Sequence, residues 1–172
     1  MKDPFNLQRF VDAQSGVIDQ VCAELRAGRK RSHWMWYIFP QISGLGSSPM
    51  AQKFAVASLA EGNAYLDHPV LGQRLRTCTE LVNAVEGHSI EEIFGYPDYL
   101  KFHSSMTLFA HAAPYEPVFP VALQKFFSGG VDQFTLERLS LPRGPHPMRA
   151  RRAGQRNCPS GFPRRTISWQ YP

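Results

Sequence analysis

The chain has 172 residues, 43% of them hydrophobic and 12% aromatic, enough for one core of ordinary domain size and too little for two comfortable ones. Charged residues make up 19%, and no apolar run approaches the roughly 20 positions of a membrane helix, so a wholly disordered chain and a membrane-spanning one are excluded. The net charge of +5 is confined to the end: residues 140–172 hold seven arginines and no acid, whereas residues 1–139 hold 12 Lys and Arg against 14 Asp and Glu, so the body is slightly acidic and the basic balance says nothing about its partners.

Phe5 and Phe10 flank Asn6 at the spacing of a hydrophobic staple, which predicts a short first helix capped by Asn6. Ser15 is the expected cap of a second, in which Ile18, Cys22 and Leu25 recur on one face and Gly28 supplies the stop. The basic run Arg29-Lys30-Arg31 leads into the densest aromatic stretch, residues 32–41, whose secondary structure a short apolar run leaves open. After the Gly44-Leu45-Gly46 turn, Ser48 with Pro49 opens a third helix, and Ser58 with Glu61 makes a capping box for a fourth.

Pro69 opens the longest and best-patterned helix. Leu71, Leu75, Cys78, Val82 and Val85 fall within about 80° of arc, a buried stripe, with Arg76 on the opposite side and Gly87 as the stop. Ser89 and Glu92 form another capping box over a short turn ending at Gly95. From about residue 97 to 111, Phe102, Met106 and Phe109 line one side while Leu100 and Leu108 lie on the other, so this helix is expected at the centre, packed on both faces. Segments 117–127 and 132–139 read as the last two helices.

No hairpin signal joins alternating β-branched runs and no repeat is present. The expectation is an all-α fold, a compact single domain of about seven or eight short helices over residues 1–139. Residues 140–172, with six prolines and no hydrophobic period, are expected to form a disordered tail. Arginine without lysine or acid also resembles the out-of-frame reading of a GC-rich gene. Cys22, Cys78 and Cys158 are an odd number without a C-x-x-C, which fits neither a disulfide framework nor a zinc site and points to a reducing cytoplasm. Residues 1–10 hold no apolar run of signal-peptide length.

Four stretches of the chain resemble one family: residues 5–14 (Phe5-Asn6-Leu7-Gln8-Arg9-Phe10 onward), the block from Arg31-Ser32-His33-Trp34-Met35-Trp36 to Gly46, His68-Pro69-Val70-Leu71-Gly72, and residues 101–109. Together they resemble DUF1810, a family of unknown function, over roughly residues 3–139. The resemblance implies a small, compact, cytoplasmic all-α domain without an established activity. It also implies an end near Leu139, so that the arginine-rich stretch departs from the pattern. The calpastatin label sometimes attached to such chains has no residue argument here, because calpain inhibitors of that kind are disordered and this body is well patterned.

The chemistry-bearing residues narrow the choice. No two of the six histidines stand at i, i+3 or i+4, so no metal site is expected. No cofactor is expected either. Gly44-Leu45-Gly46-Ser47-Ser48 precedes a helix start and offers backbone N–H groups to an anion, but Pro49 stands where a dinucleotide fingerprint needs its third glycine. Ser104-Ser105 lacks the G-x-S-x-G elbow of a serine hydrolase.

One composite candidate remains. His33, Trp34, Trp36 and Gln41 of the aromatic block, with Lys101, His103 and Ser104 of the central helix, are expected to form one polar and aromatic cluster that engages an anionic, planar ligand. The plainer reading makes the rings core and gives the polar groups partners in backbone carbonyls and in Asp98 or Glu92. The function expected first is therefore a small-ligand or protein-partner binding module. An enzyme acting on a phosphorylated or nucleotide-like metabolite is the alternative, with Lys101 and the Arg29–Arg31 run holding charge and His33 or His103 moving a proton. Nucleic-acid binding has support only in the arginine tail.

Overall fold

A computed structural model describes residues 3–141, which form ten helices. In chain order these are α1 (Gln8–Gln14), α2 (Ile18–Arg26), α3 (Met35–Ile38), α4 (Pro49–Lys53), α5 (Leu59–Asp67), α6 (Leu71–Ala84), α7 (Ile90–Phe94), α8 (Asp98–Ala112), α9 (Val118–Phe127) and α10 (Gln133–Ser140). The fold is all-α; among the described residues the only strand-like pairing is one parallel bridge between Ile42 and Val56. The count exceeds the expected seven or eight because the aromatic block winds into the single turn α3 and the capping-box turn closes into α7. The tail is expected from residue 140, but Ser140 is the last residue of α10 and Leu141 its C-cap; the rest of the expected tail, residues 142–172, and the nucleic-acid reading that rests on it lie outside the described residues.

Short polar side chains start half of the ten helices. Ser48, Ser58 and Ser89 accept the backbone N–H groups of Ala51, Glu61 and Glu92, as their positions predict. The Ser89 box is closed by Glu92, whereas Glu61 turns to the N–H of Ala57 and to Arg9, leaving the Ser58 box half made. Two expected caps are wrong. Asp3, not Asn6, caps α1: its two oxygens accept Leu7 and Gln8 N–H at 2.8 and 2.9 Å, while Asn6 sits at φ 52°, a left-handed bend that asparagine tolerates. Ser15 is the extended residue that ends α1, and α2 has Val17 at its N-cap, with no side-chain bond there.

Helix α8 runs through the middle of the molecule. Residues 104–109 are buried without a break, and Phe102, Met106, Leu108 and Phe109 are inaccessible on both of its sides. Around it lie α5, α7, α9 and α10, with α3 against its N-terminal half and α6 behind α5 and α9. The α6 stripe of Leu71, Leu75, Cys78, Val82 and Val85 is buried as its spacing requires. Gly72 explains the end of the His68-to-Gly72 motif: a Cβ there would stand 2.0 Å from the carbonyl oxygen of Leu66, so only glycine lets α6 start this close to the end of α5. Arg76 is not idle surface. Its guanidinium forms a two-pronged pair with Glu116 and donates to Leu66 O at 3.2 Å, tying α6 to the segment before α9.

Candidate functional site

The aromatic block is shaped by a carboxylate that sequence reasoning passed over. Helix α2 ends in a Schellman turn, in which Gly28 at φ 63° lets Arg29 N–H return to Glu24 O, and the chain doubles back over the side chain of Glu24. That buried carboxylate accepts the N–H groups of Arg31 (2.8 Å) and Ser32 (3.1 Å), the Ser32 hydroxyl and the indole Nε1 of Trp34 (2.9 Å). Burial alone would raise the pKa of Glu24. The bonds from Ser32, Arg31 and Trp34 outweigh it and lower the carboxyl from 4.5 to about 2. Trp34 is thereby fixed in the core, edge-on to Phe94 and near Phe39.

Two residues later Trp36 faces outward onto α8. Lys101 Nζ lies 4.6 Å from the centroid of the Trp36 ring and 2.7 Å from Asp98 Oδ1, and Lys30 reaches Asp98 Oδ2 at 2.7 Å from the other side. Burial disfavours ionised Asp98, but the bonds from Lys101 and Lys30 hold its carboxyl below the usual range. The loop after α3 returns along Val56, where Val56 N–H donates to Gln41 O and Ser43 N–H to Val56 O, both at 2.8 Å, and this closes the wall opposite α8. Between them is a cavity of about 230 Å3. Trp36, Leu45, Ala51 and Leu100 give it apolar walls; Gln41, Ser47, Lys101, Ser104 and Asp132 give it polar groups. A second hollow of about 280 Å3 lies against the 42–55 loop and shares Gln41, Gly46 and Ala51 with the first.

The structure therefore brings Trp36, Gln41, Lys101 and Ser104 to one cavity and leaves the other three proposed residues out of its lining. Trp34 is core, bonded to Glu24. His33 is exposed at the turn before α3, where its carbonyl accepts from the Tyr37 hydroxyl. His103 stacks on Phe127 at 4.0 Å between centroids and engages Gly130 O at 2.8 Å. Neither histidine stands where a proton would be moved in the cavity. Of the basic run, Arg29 and Arg31 are exposed and Lys30 is taken up by Asp98 and the Trp34 ring.

Asp132 was legible only as a helix start. It caps α10, with Oδ2 accepting Thr135 N–H at 3.1 Å, and the same side chain lines the cavity beside Ser104. Ser48, the other start of interest, spends its hydroxyl oxygen on Ala51 N–H, and α4 has five residues, too short a helix to offer an anion much dipole. Among the described residues no three His, Cys, Asp or Glu side chains converge as metal ligands, and no helix is long and apolar enough to cross a membrane.

No curated protein matches the chain. Among solved structures it is similar to the crystal structure of the conserved hypothetical protein Rv1873 from Mycobacterium tuberculosis, with 56% identity and a TM-score of 0.80 over 81% of this chain and 100% of that one. The family model described as a protein of unknown function, DUF1810, matches residues 4–139, which takes in all four motif stretches, the Glu24 cradle and the whole cavity lining, and the chain belongs to that family.

Proposed function

We propose that this domain is a small-ligand binding module and that its ligand, bearing an anionic group, occupies the cavity between α3, α8 and the turn before α4. The observation that carries the reading is the position of Lys101 Nζ over the Trp36 ring at the edge of a cavity that Gln41 and Ser104 also line. Two segments some sixty residues apart contribute a flat aromatic wall, a cation and an amide to one concavity, the composition of small-molecule sites. The Gln41 amide makes no hydrogen bond to a described side chain or backbone group, so it is free to orient a guest.

Ligand-observed NMR of the full chain against a panel of aliphatic and aromatic carboxylates tests this, repeated on Lys101→Met. At least one carboxylate should give saturation transfer that the variant loses while its melting temperature stays within a few degrees, because Asp98 keeps Lys30 as a partner. Silence of the whole panel, or signals that survive in the variant, overturns the reading.

A further inference from the structure

The cavity has two charged ends. At one, Lys101 Nζ gives a donor to Asp98 Oδ1 and rests over Trp36; an ammonium has three N–H groups, so donors remain. At the other, Asp132 is used on one side only. Ser104 Oγ at 2.8 Å, Thr135 N–H at 3.1 Å and Thr135 Oγ1 at 2.5 Å all reach Oδ2, while Oδ1 accepts nothing from a described residue. Ser104, three residues after Lys101 on α8, lies between the two ends.

The charges here cancel: Lys30 and Lys101 stand against Asp98 and Asp132. A phosphate dianion drawn to Lys101 would meet two carboxylates at short range in a partly enclosed cleft, where repulsion is screened less than in water. A molecule that carries both signs satisfies each end. The space, about 230 Å3, lies below the roughly 300–1,000 Å3 of drug-sized sites and suits something as small as a free amino acid.

Resting on the ligand-binding reading above, we propose that the ligand is an amino acid with an apolar side chain. Its carboxylate takes the free donors of Lys101, its ammonium takes Asp132 Oδ1 with the Ser104 hydroxyl, and its side chain lies against Trp36, Leu45 and Leu100. Gln41 supplies the remaining hydrogen bonds.

Titration calorimetry of the full chain with four probes tests the charge pairing: L-leucine, 4-methylpentanoate (leucine without its ammonium), 3-methylbutylamine (leucine without its carboxylate) and inorganic phosphate. Leucine should bind at least roughly tenfold tighter than any of the others, and Asp132→Asn, which keeps a capping side chain on α10, should bring leucine and 4-methylpentanoate to parity. Equal affinities for those two in the unaltered protein overturn the amino-acid proposal and leave the ligand-binding reading standing. Phosphate binding with leucine silent does the same. Silence of all four probes overturns the amino-acid proposal by itself, and the fate of the reading beneath it is decided separately by the carboxylate panel. Should Asp132→Asn fail to fold, the comparison of leucine with its two fragments in the unaltered chain decides alone.

Discussion

Trp34 Nε1 donates to Glu24 Oε2 at 2.9 Å, so the largest ring of the core is held by the same carboxylate that gathers the backbone of Arg31 and Ser32. Replacing Glu24 by Gln keeps the size and removes an acceptor, which leaves buried N–H groups unpaired. The variant should lose about 3 kcal/mol of stability in urea melts. A loss below about 0.5 kcal/mol would show that water replaces the carboxylate at no cost.

The same group sets an acid limit. The Glu24 carboxyl falls from its ordinary 4.5 to about 2 in the folded protein, so the unfolded chain binds more protons between those values. Its contribution is fully present above about pH 4.5 and is lost as pH falls to about 2. The stability gap between the natural chain and Glu24→Gln should therefore narrow with acidification across that window. A gap that stays constant assigns the acid sensitivity to another carboxylate.

Gly72→Ala should cost more than any helix-propensity argument allows. Alanine favours the helix by about 1 kcal/mol over glycine, yet the added methyl would collide with the carbonyl of Leu66, which α5 holds in place. Thermal melts should show a net loss of about 2 kcal/mol or more. A neutral or stabilising effect means that α5 and α6 can separate freely.

Leu75→Ala and Arg76→Ala probe opposite sides of α6. Leu75 is buried to 1% exposure, and its truncation should cost about 2–5 kcal/mol. Arg76, from its position on the outer side alone, invites an expectation of no effect. Its pair with Glu116, with both side chains about one-third exposed, replaces that with a loss of about 1 kcal/mol. Equal losses would place the buried face of α6 elsewhere.

Removal of residues 142–172 should leave the circular dichroism of the helices and the melting temperature unchanged, because the core side chains named above lie within residues 3–141. Precipitation of the shortened chain, with the full chain soluble, would make the arginine-rich segment part of the domain.

The legible parts of the fold were those with a period or a local signature. The α6 stripe, the doubly packed α8 and the serine starts of α4, α5 and α7 repeat at fixed offsets, so one sequence displays them. Asp3 and Glu24 escaped because their partners are chosen by the path of a loop, four to ten residues away, and no periodicity encodes that path. The candidate site divides in the same way. Lys101 and Ser104 share a helical face with a one-turn spacing, and Trp36 and Gln41 follow once α3 is placed. Residue type alone grouped His33, Trp34 and His103 with them, yet Trp34 points the opposite way from Trp36 because two residues in a one-turn helix differ by about 200° of rotation.

Asp98 has a consequence for how binding would be felt beyond the cavity. One carboxylate holds two lysines, Lys101 at the cavity and Lys30 on the loop, and Lys30 in turn lies 5.3 Å over the Trp34 ring. Whatever draws Lys101 away from Asp98 leaves that charge to Lys30 alone, so a ligand that did so would be thermodynamically linked to the grip of Lys30 on the core tryptophan. Such linkage is reciprocal: a change that loosens Lys30 from Asp98 alters ligand affinity by the same factor by which the ligand alters the Lys30–Asp98 equilibrium. The indole of Trp34, itself outside the cavity lining, is placed to report events at Lys101 through a single shared carboxylate.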